Sequence, residues 1–196
     1  MKISFLASHG GTSAKHIISA VRNKQLTAEI GILITNNQDS DIYHWCQNNN
    51  IQVCYLSGKT HPCEIELDKA INQQLLLAGS ELIVLSGYMK KIGPITLAQY
   101  SNKVLNIHPS LLPKHGGKGL FGDRVHQSVL KSGDKKSGAT VQLINLDYDQ
   151  GPIILQKMVN VDKAETIASL KAKVQAIEGE LYLDSIREIM GGFDER

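Results

Sequence analysis

The sequence predicts an α/β fold: a doubly wound, mostly parallel sheet with helices on both faces and an antiparallel strand addition toward the C-terminus. Two observations predict it. Short apolar runs of strand length alternate with segments of helical period, and that alternation builds a parallel sheet covered on both faces. Two further apolar stretches, Ala139 to Leu146 and Pro152 to Val161, flank an acidic turn with no helical segment between them, as an antiparallel pair requires.

Taken in order, Ile3 to Ala7 is a strand, Ser8 to Ser13 a turn, and Ala14 to Asn23 a helix with Ile17, Ile18 and Val21 inward, the first βα unit. Ile30 to Thr35 and Ile51 to Leu56 are buried strands separated by a helix through Ile42 to Gln47. A helix from Glu64 to Ala78 precedes the strand Leu82 to Leu85, and a short helix led by Pro94 precedes the strand Lys103 to Ile107. Val125 to Leu130 is helical, and a long amphipathic helix from Ala164 to Ile189 follows the antiparallel pair. With no repeat, low-complexity stretch or linker, residues 1–196 are expected to form a single domain.

Composition agrees. At 196 residues, 42% hydrophobic and 20% charged, the chain suits one compact core. A formal net charge of +2 gives no reason to expect nucleic acid, although anionic small molecules would be drawn to local basic groups. The three cysteines, Cys46, Cys54 and Cys63, have no paired metal-type spacing, so reduced thiols and no metal are expected. Met1-Lys2 leads straight into an apolar strand without a signal-type cleavage region, and no apolar run approaches membrane-spanning length, so a cytoplasmic protein with no membrane partner is expected.

Chemistry concentrates at Leu105-Asn106-Ile107-His108-Pro109. Asn106 and His108 alternate with Ile107, so both polar side chains leave the strand on one face, and Pro109 restricts His108 to an extended backbone. A satisfied histidine at a strand end is the competing interpretation until a second group joins it. That second group is Asp149, in the acidic turn Leu146-Asp147-Tyr148-Asp149-Gln150-Gly151-Pro152, if it is more than a turn former. A carboxylate beside His108 is expected to raise the ring's pKa and keep a donatable proton on it near neutral pH. Gly10, Gly11, Thr12 and Ser13 form either a tight strand-to-helix turn or a cradle for a phosphate at a helix N-terminus.

Leu105 to Lys114 (LNIHPSLLPK), followed by Gly138 to Gln156 (GATVQLINLDYDQGPIILQ), resembles the formyltransferases that use 10-formyltetrahydrofolate, with a Rossmann-like sheet, over Met1 to about Ile189. Length and motif order are most similar to the branch that formylates the amine of 5'-phosphoribosylglycinamide in purine biosynthesis. His115 to Gly122 resembles a variant glycine-containing loop found in part of that family. The resemblance implies transferase chemistry with Asn106, His108 and Asp149 as catalytic residues. It also implies that Gly11, Thr12 and Ser13 hold the substrate phosphate. Met89, Lys90, Lys91 and Ile92 would line the folate pocket together with Asn106 and Asp149, and a cis Leu112-Pro113 bond is implied as well.

Lys90 or Lys91 would attract the glutamate tail, unless the pair simply solvates a loop. Gln175 and Glu178, three apart on one helix face, match positions that bind the ribose and amine portion, against an ordinary solvated face. Ser13, Lys91, Gln142 and Gly179 depart from the family pattern, where Asn, an apolar residue, His and His are frequent. Direct amine attack on the formyl carbonyl needs no protein nucleophile. Asn106 and protonated His108 would stabilise the tetrahedral oxyanion. The alternatives are another amine, such as an amino sugar nucleotide, or a non-catalytic folate or nucleotide binder; a monomer and a homodimer are both compatible.

Overall fold

The computed structural model describes residues 1–145 and 149–192. The predicted Leu146, Asp147 and Tyr148 of the acidic turn lie outside the described residues. In chain order the elements are β1 (Lys2–Ala7), α1 (Thr12–Arg22), β2 (Glu29–Thr35), α2 (Asp41–Asn48), β3 (Val53–Tyr55), α3 (Glu64–Leu77), β4 (Leu82–Ser86), α4 (Pro94–Gln99), β5 (Val104–His108), α5 (Asp123–Ser132), β6 (Lys136–Leu143), β7 (Ile153–Asn160) and α6 (Ile167–Gly192). The strands are hydrogen-bonded in the order β3-β2-β1-β4-β5-β6-β7. The backbone divides into two compact units, residues 1–105 and 106–196.

In the first unit β1 pairs in parallel with both β2 and β4, and β2 with β3. Strand order therefore reverses direction at β1. Right-handed crossovers on either side of such a reversal send their helices to opposite faces, which is the doubly wound arrangement the alternation predicts. Ile3, Phe5, Leu6 and Ala7 are fully buried, and every residue of β4 is buried, as strands covered on both faces demand. The β1–β2 register slips between Ile3 and Phe5. Ser4 answers the slip: its hydroxyl accepts from the Ile32 amide at 3.1 Å, and a Cβ on the neighbouring Gly31 would stand 2.3 Å from that oxygen. On α3, buried Asp68 accepts from the Ile95 and Thr96 amides, placing a carboxylate at the positive end of α4.

In the second unit β6 and β7 are antiparallel, with Thr140 opposite Gln156 and Val141 opposite Leu155. Gly138 and Gly151 permit the close approach: a Cβ would meet Lys157 O at 2.0 Å and Leu143 O at 1.7 Å respectively. Helix α6 packs on β6 and β7, with Leu170, Val174, Leu181 and Ile186 buried. Boundaries differ from expectation where local signals are weak. β3 is a three-residue strand, α1 starts at Thr12, and Ala20 takes the inward place predicted for Val21. Among the described residues no helix is long and apolar enough to cross a membrane.

Candidate active site

The end of β5 and the turn before β7 bring Asn106, His108 and Asp149 into the second unit. His108 is 4% exposed and its Nδ1 lies 3.4 Å from Asp149 Oδ2. Its Nε2 donates to the His115 carbonyl at 2.8 Å, because a carbonyl oxygen can only accept. Asp149 adopts φ +55°, a left-handed conformation that Asp tolerates better than most residues. Its carboxylate accepts from the Gly117 amide at Oδ2 and from the Gln142 side-chain amide at Oδ1, both at 2.9 Å. Asn106 is half-buried, and among the described residues no hydrogen-bond partner occupies its side-chain amide.

The expected electrostatics of this pair are reversed. Burial holds the His108 imidazole below the ordinary histidine value, while the Asp149 carboxylate and the His115 carbonyl pull upward by less. The ring is therefore neutral near pH 7, with its proton on Nε2, rather than kept protonated by Asp149. Nδ1 is the position that gains a proton on acidification, and Asp149 is the anion that meets it. His126 on α5, 2% exposed, is also held low by burial, and the positive charge of His108 would contribute to that.

The His-Pro turn is tied down by side chains that the motif alone does not reveal. Thr140 donates its hydroxyl to Ser110 O at 2.6 Å and accepts from the Leu112 amide at 3.0 Å. Gln156 donates to Leu112 O and Thr140 Oγ1 at 2.9 and 2.8 Å, and the Leu112-Pro113 peptide is cis. Thr140 and Gln156 are cross-strand partners, so the register of β6 on β7 sets this lattice. Thr140 is marked in the sequence by its place between the apolar Ala139 and Val141, whereas Gln156, followed by Lys157, is not. His115 and Gly117 carry no such signal, since they act through backbone groups.

The first unit gathers the other two loops at the reversal between β1 and β4. The Ser8 amide donates to Gly87 O at 3.3 Å, Ser8 Oγ accepts from the Met89 amide at 2.8 Å, and Ser86 Oγ accepts from the Ala14 amide at 3.0 Å. Ligands of open α/β sheets bind at such reversals, beyond the carboxyl ends of the strands. Gly11 has φ +59°, and a Cβ there would lie 2.5 Å from Ile42 Cγ1, so glycine is required by both conformation and space. Thr12 is exposed and Ser13 buried at the start of α1, whose N-cap has no side-chain partner. Met89, Lys90 and Lys91 are exposed, whereas Ile92 is 4% exposed and belongs to the core.

Gln175 and Glu178 both lie on α6, Gln175 exposed and Glu178 half-buried. Burial pushes the Glu178 carboxyl up to about 7. One turn on, fully buried Tyr182 hydrogen-bonds the backbone of Ile107, the residue between Asn106 and His108, and the Glu178 charge helps hold its phenol far above the usual value.

The family profile described as "Formyl transferase" matches residues 1–186. The phosphoribosylglycinamide formyltransferase of Haemophilus influenzae is 33% identical over 181 residues, 92% of this chain and 83% of that one. The chloroplastic phosphoribosylglycinamide formyltransferase of Arabidopsis thaliana is 33% identical over 96% of this chain, which spans 65% of the plant protein's length. Among solved structures, phosphoribosylglycinamide formyltransferase from Bacillus halodurans superposes with a TM-score of 0.88 at 31% identity, covering 97% of this chain and 95% of its own.

Proposed function

Because this chain belongs to the formyl transferase family, we propose that it moves a formyl group from 10-formyltetrahydrofolate to the amine of 5'-phosphoribosylglycinamide, a step of purine biosynthesis, as one formyltransferase domain. The observation that carries the proposal is the buried His108 held 3.4 Å from Asp149, two residues along β5 from an Asn106 amide that has no hydrogen-bond partner among the described residues. Addition of a neutral amine to a formyl carbonyl develops negative charge on oxygen and positive charge on nitrogen. Asn106 donates to the oxygen. His108 Nδ1 takes the proton from the attacking nitrogen and delivers it to the folate nitrogen as the bond from that nitrogen to the formyl carbon breaks, and Asp149 favours the charged ring as it forms. A ring held neutral at rest suits this better than a permanent imidazolium, because it accepts as well as donates.

Gly11, Thr12 and Ser13 present the amide end of α1 to the substrate phosphate. Met89 to Ile92, with Asn106 and Asp149, are the proposed folate contacts, and Lys90 and Lys91 supply positive charge for its carboxylates. Gln175 and Glu178 are the proposed contacts for the ribose and amine portion. Three free cysteines fit a reducing cytoplasm.

The test is to supply purified protein with 10-formyltetrahydrofolate, with and without phosphoribosylglycinamide, and to follow deformylated folate and formylated product together. Equal amounts of both, formed only with the ribosyl amine, are expected. Deformylation without amine, turnover confined to an amino sugar nucleotide, or folate binding without turnover would each overturn the proposal.

A further inference from the structure

We propose that His115, anchored by Asp134 and Ser128, is a positioning residue that fixes the tautomer of His108; this rests on His108 acting as proposed above. Two acceptors compete for the single proton of a neutral His108. Asp149 Oδ2 stands 3.4 Å from Nδ1, and the His115 carbonyl stands 2.8 Å from Nε2. A carboxylate beside Nδ1 would by itself draw the proton there, so the shorter bond to the carbonyl is what keeps Nδ1 bare and able to accept.

That carbonyl is aimed by an unfavourable backbone. His115 has φ +57°, a left-handed conformation disfavoured for a residue with a Cβ, and a surrounding structure must hold it. Its side chain supplies the hold. Nε2 donates to Asp134 Oδ2 at 2.9 Å, which leaves Nδ1 to accept from Ser128 Oγ on α5 at 2.8 Å. Lys114 Nζ binds the same carboxylate at 3.1 Å, and Ser110 donates to Lys114 O at 2.7 Å, so the preceding residue is fixed as well. The His115 and Lys114 bonds hold the Asp134 carboxyl below the usual carboxylate range.

Two residues further on, the Gly117 amide donates to Asp149 Oδ2. One short turn thus grips His108 by a carbonyl and Asp149 by an amide, and sets the distance between them. Asp149 is the one proposed substrate contact this turn touches, through the Gly117 amide, whereas the His115, Asp134 and Ser128 side chains act on His108 through the His115 carbonyl.

The test reads tautomers directly, from the ring nitrogen resonances of histidine-labelled protein at a pH where the rings are neutral, with His108 assigned by its loss in His108→Gln. In the wild-type protein His108 is expected to be the Nε2–H form. In His115→Phe and Asp134→Ala the Nδ1–H form should become comparably populated, with kcat for formyl transfer down about tenfold or more and KM within about twofold. Asp134→Asn, which still offers His115 an oxygen acceptor, should restore both readings. Should Asp134→Ala not fold, Ser128→Ala removes one anchor and should shift the tautomer the same way by less. An unchanged tautomer in the folded variants overturns the inference, whether or not kcat falls. A shifted tautomer in a protein that formylates no amine keeps the positioning role and overturns the proposed function instead.

Discussion

Replacing Glu178 by Gln isolates the cost of ionising a carboxyl on the inner side of α6. Burial lifts this group from 4.5 to about 7. A gap of about 2.5 pH units, at about 1.4 kcal/mol each, sets a ceiling of about 3.5 kcal/mol, and the water reaching a half-buried group lowers the expectation to about 2 kcal/mol. The folded value lies above the unfolded one, so the native chain holds its proton longer. This group's contribution to stability is complete below about 4.5 and is lost as pH rises through about 7. Gln is neutral throughout and escapes that loss. Urea unfolding followed by circular dichroism at pH 4.5 and 8.5 should show Glu178→Gln gaining about 2 kcal/mol on the wild-type protein between the two conditions. His108 and His126 titrate alike in both proteins and cancel in the difference. A stability difference that stays constant across that range, or that moves against the Gln variant as pH rises, would refute the burial of this carboxyl.

Asn106→Ala should leave the unfolding midpoint unchanged and lower kcat by about 10²–10³, the loss of one oxyanion donor; a rate near wild type removes Asn106 from the chemistry. The His108 ring should titrate below 6.5 in a pH series of ring resonances, and Asp149→Asn should move it lower still by removing the anion that pulls upward. A rise on that substitution would contradict the assigned balance. Gly11→Ala forces a Cβ to 2.5 Å from Ile42 Cγ1 at a positive φ. It should cost about 1–3 kcal/mol of stability in thermal unfolding and raise KM for the phosphorylated amine more than for folate, and Ile42→Ala in the same chain should recover part of the stability alone. An equal rise in both KM values would detach this turn from phosphate binding.

Local periodicity made the fold legible, because strands covered on both faces are near-continuous apolar runs and few other structures are. β1 and β4 are such runs, and the pairing of β6 with β7 follows from two apolar stretches with no helix between them. β3 is less legible because Ile51 and Leu56 are buried although they lie outside the three-residue strand, and burial is what an apolar run reports. At the site, period-two alternation put Asn106 and His108 on one face of β5, and the acidic turn supplied Asp149. What no local pattern carries is a contact made by a backbone atom, so the His115 carbonyl and the Gly117 amide are invisible until the chain is folded. The sign of the His108 shift was illegible for a related reason. A partner carboxylate is visible in sequence, whereas desolvation is a sum over everything that surrounds the ring.

The carboxylate loses that contest to desolvation, and Gln142 shares the same carboxylate with His108. Its side-chain nitrogen must face Asp149 because a carboxylate only accepts. With the Gly117 amide on Oδ2, the oxygen that faces His108 Nδ1, Asp149 has a donor on each oxygen, and both compete with the ring for its charge. Among the described residues the Gln142 side-chain carbonyl oxygen, in a residue 2% exposed, has no hydrogen-bond partner, a cost that an imidazole would not carry in the same form. In exchange the donor to Asp149 does not titrate. A histidine there would strengthen or lose its hold on the carboxylate over the same pH range in which His108 changes charge, coupling two rings through one anion. With Gln142 in place, His108 is the only titrating group among the described residues that pairs with Asp149, and the balance between its burial and that carboxylate is set by geometry alone.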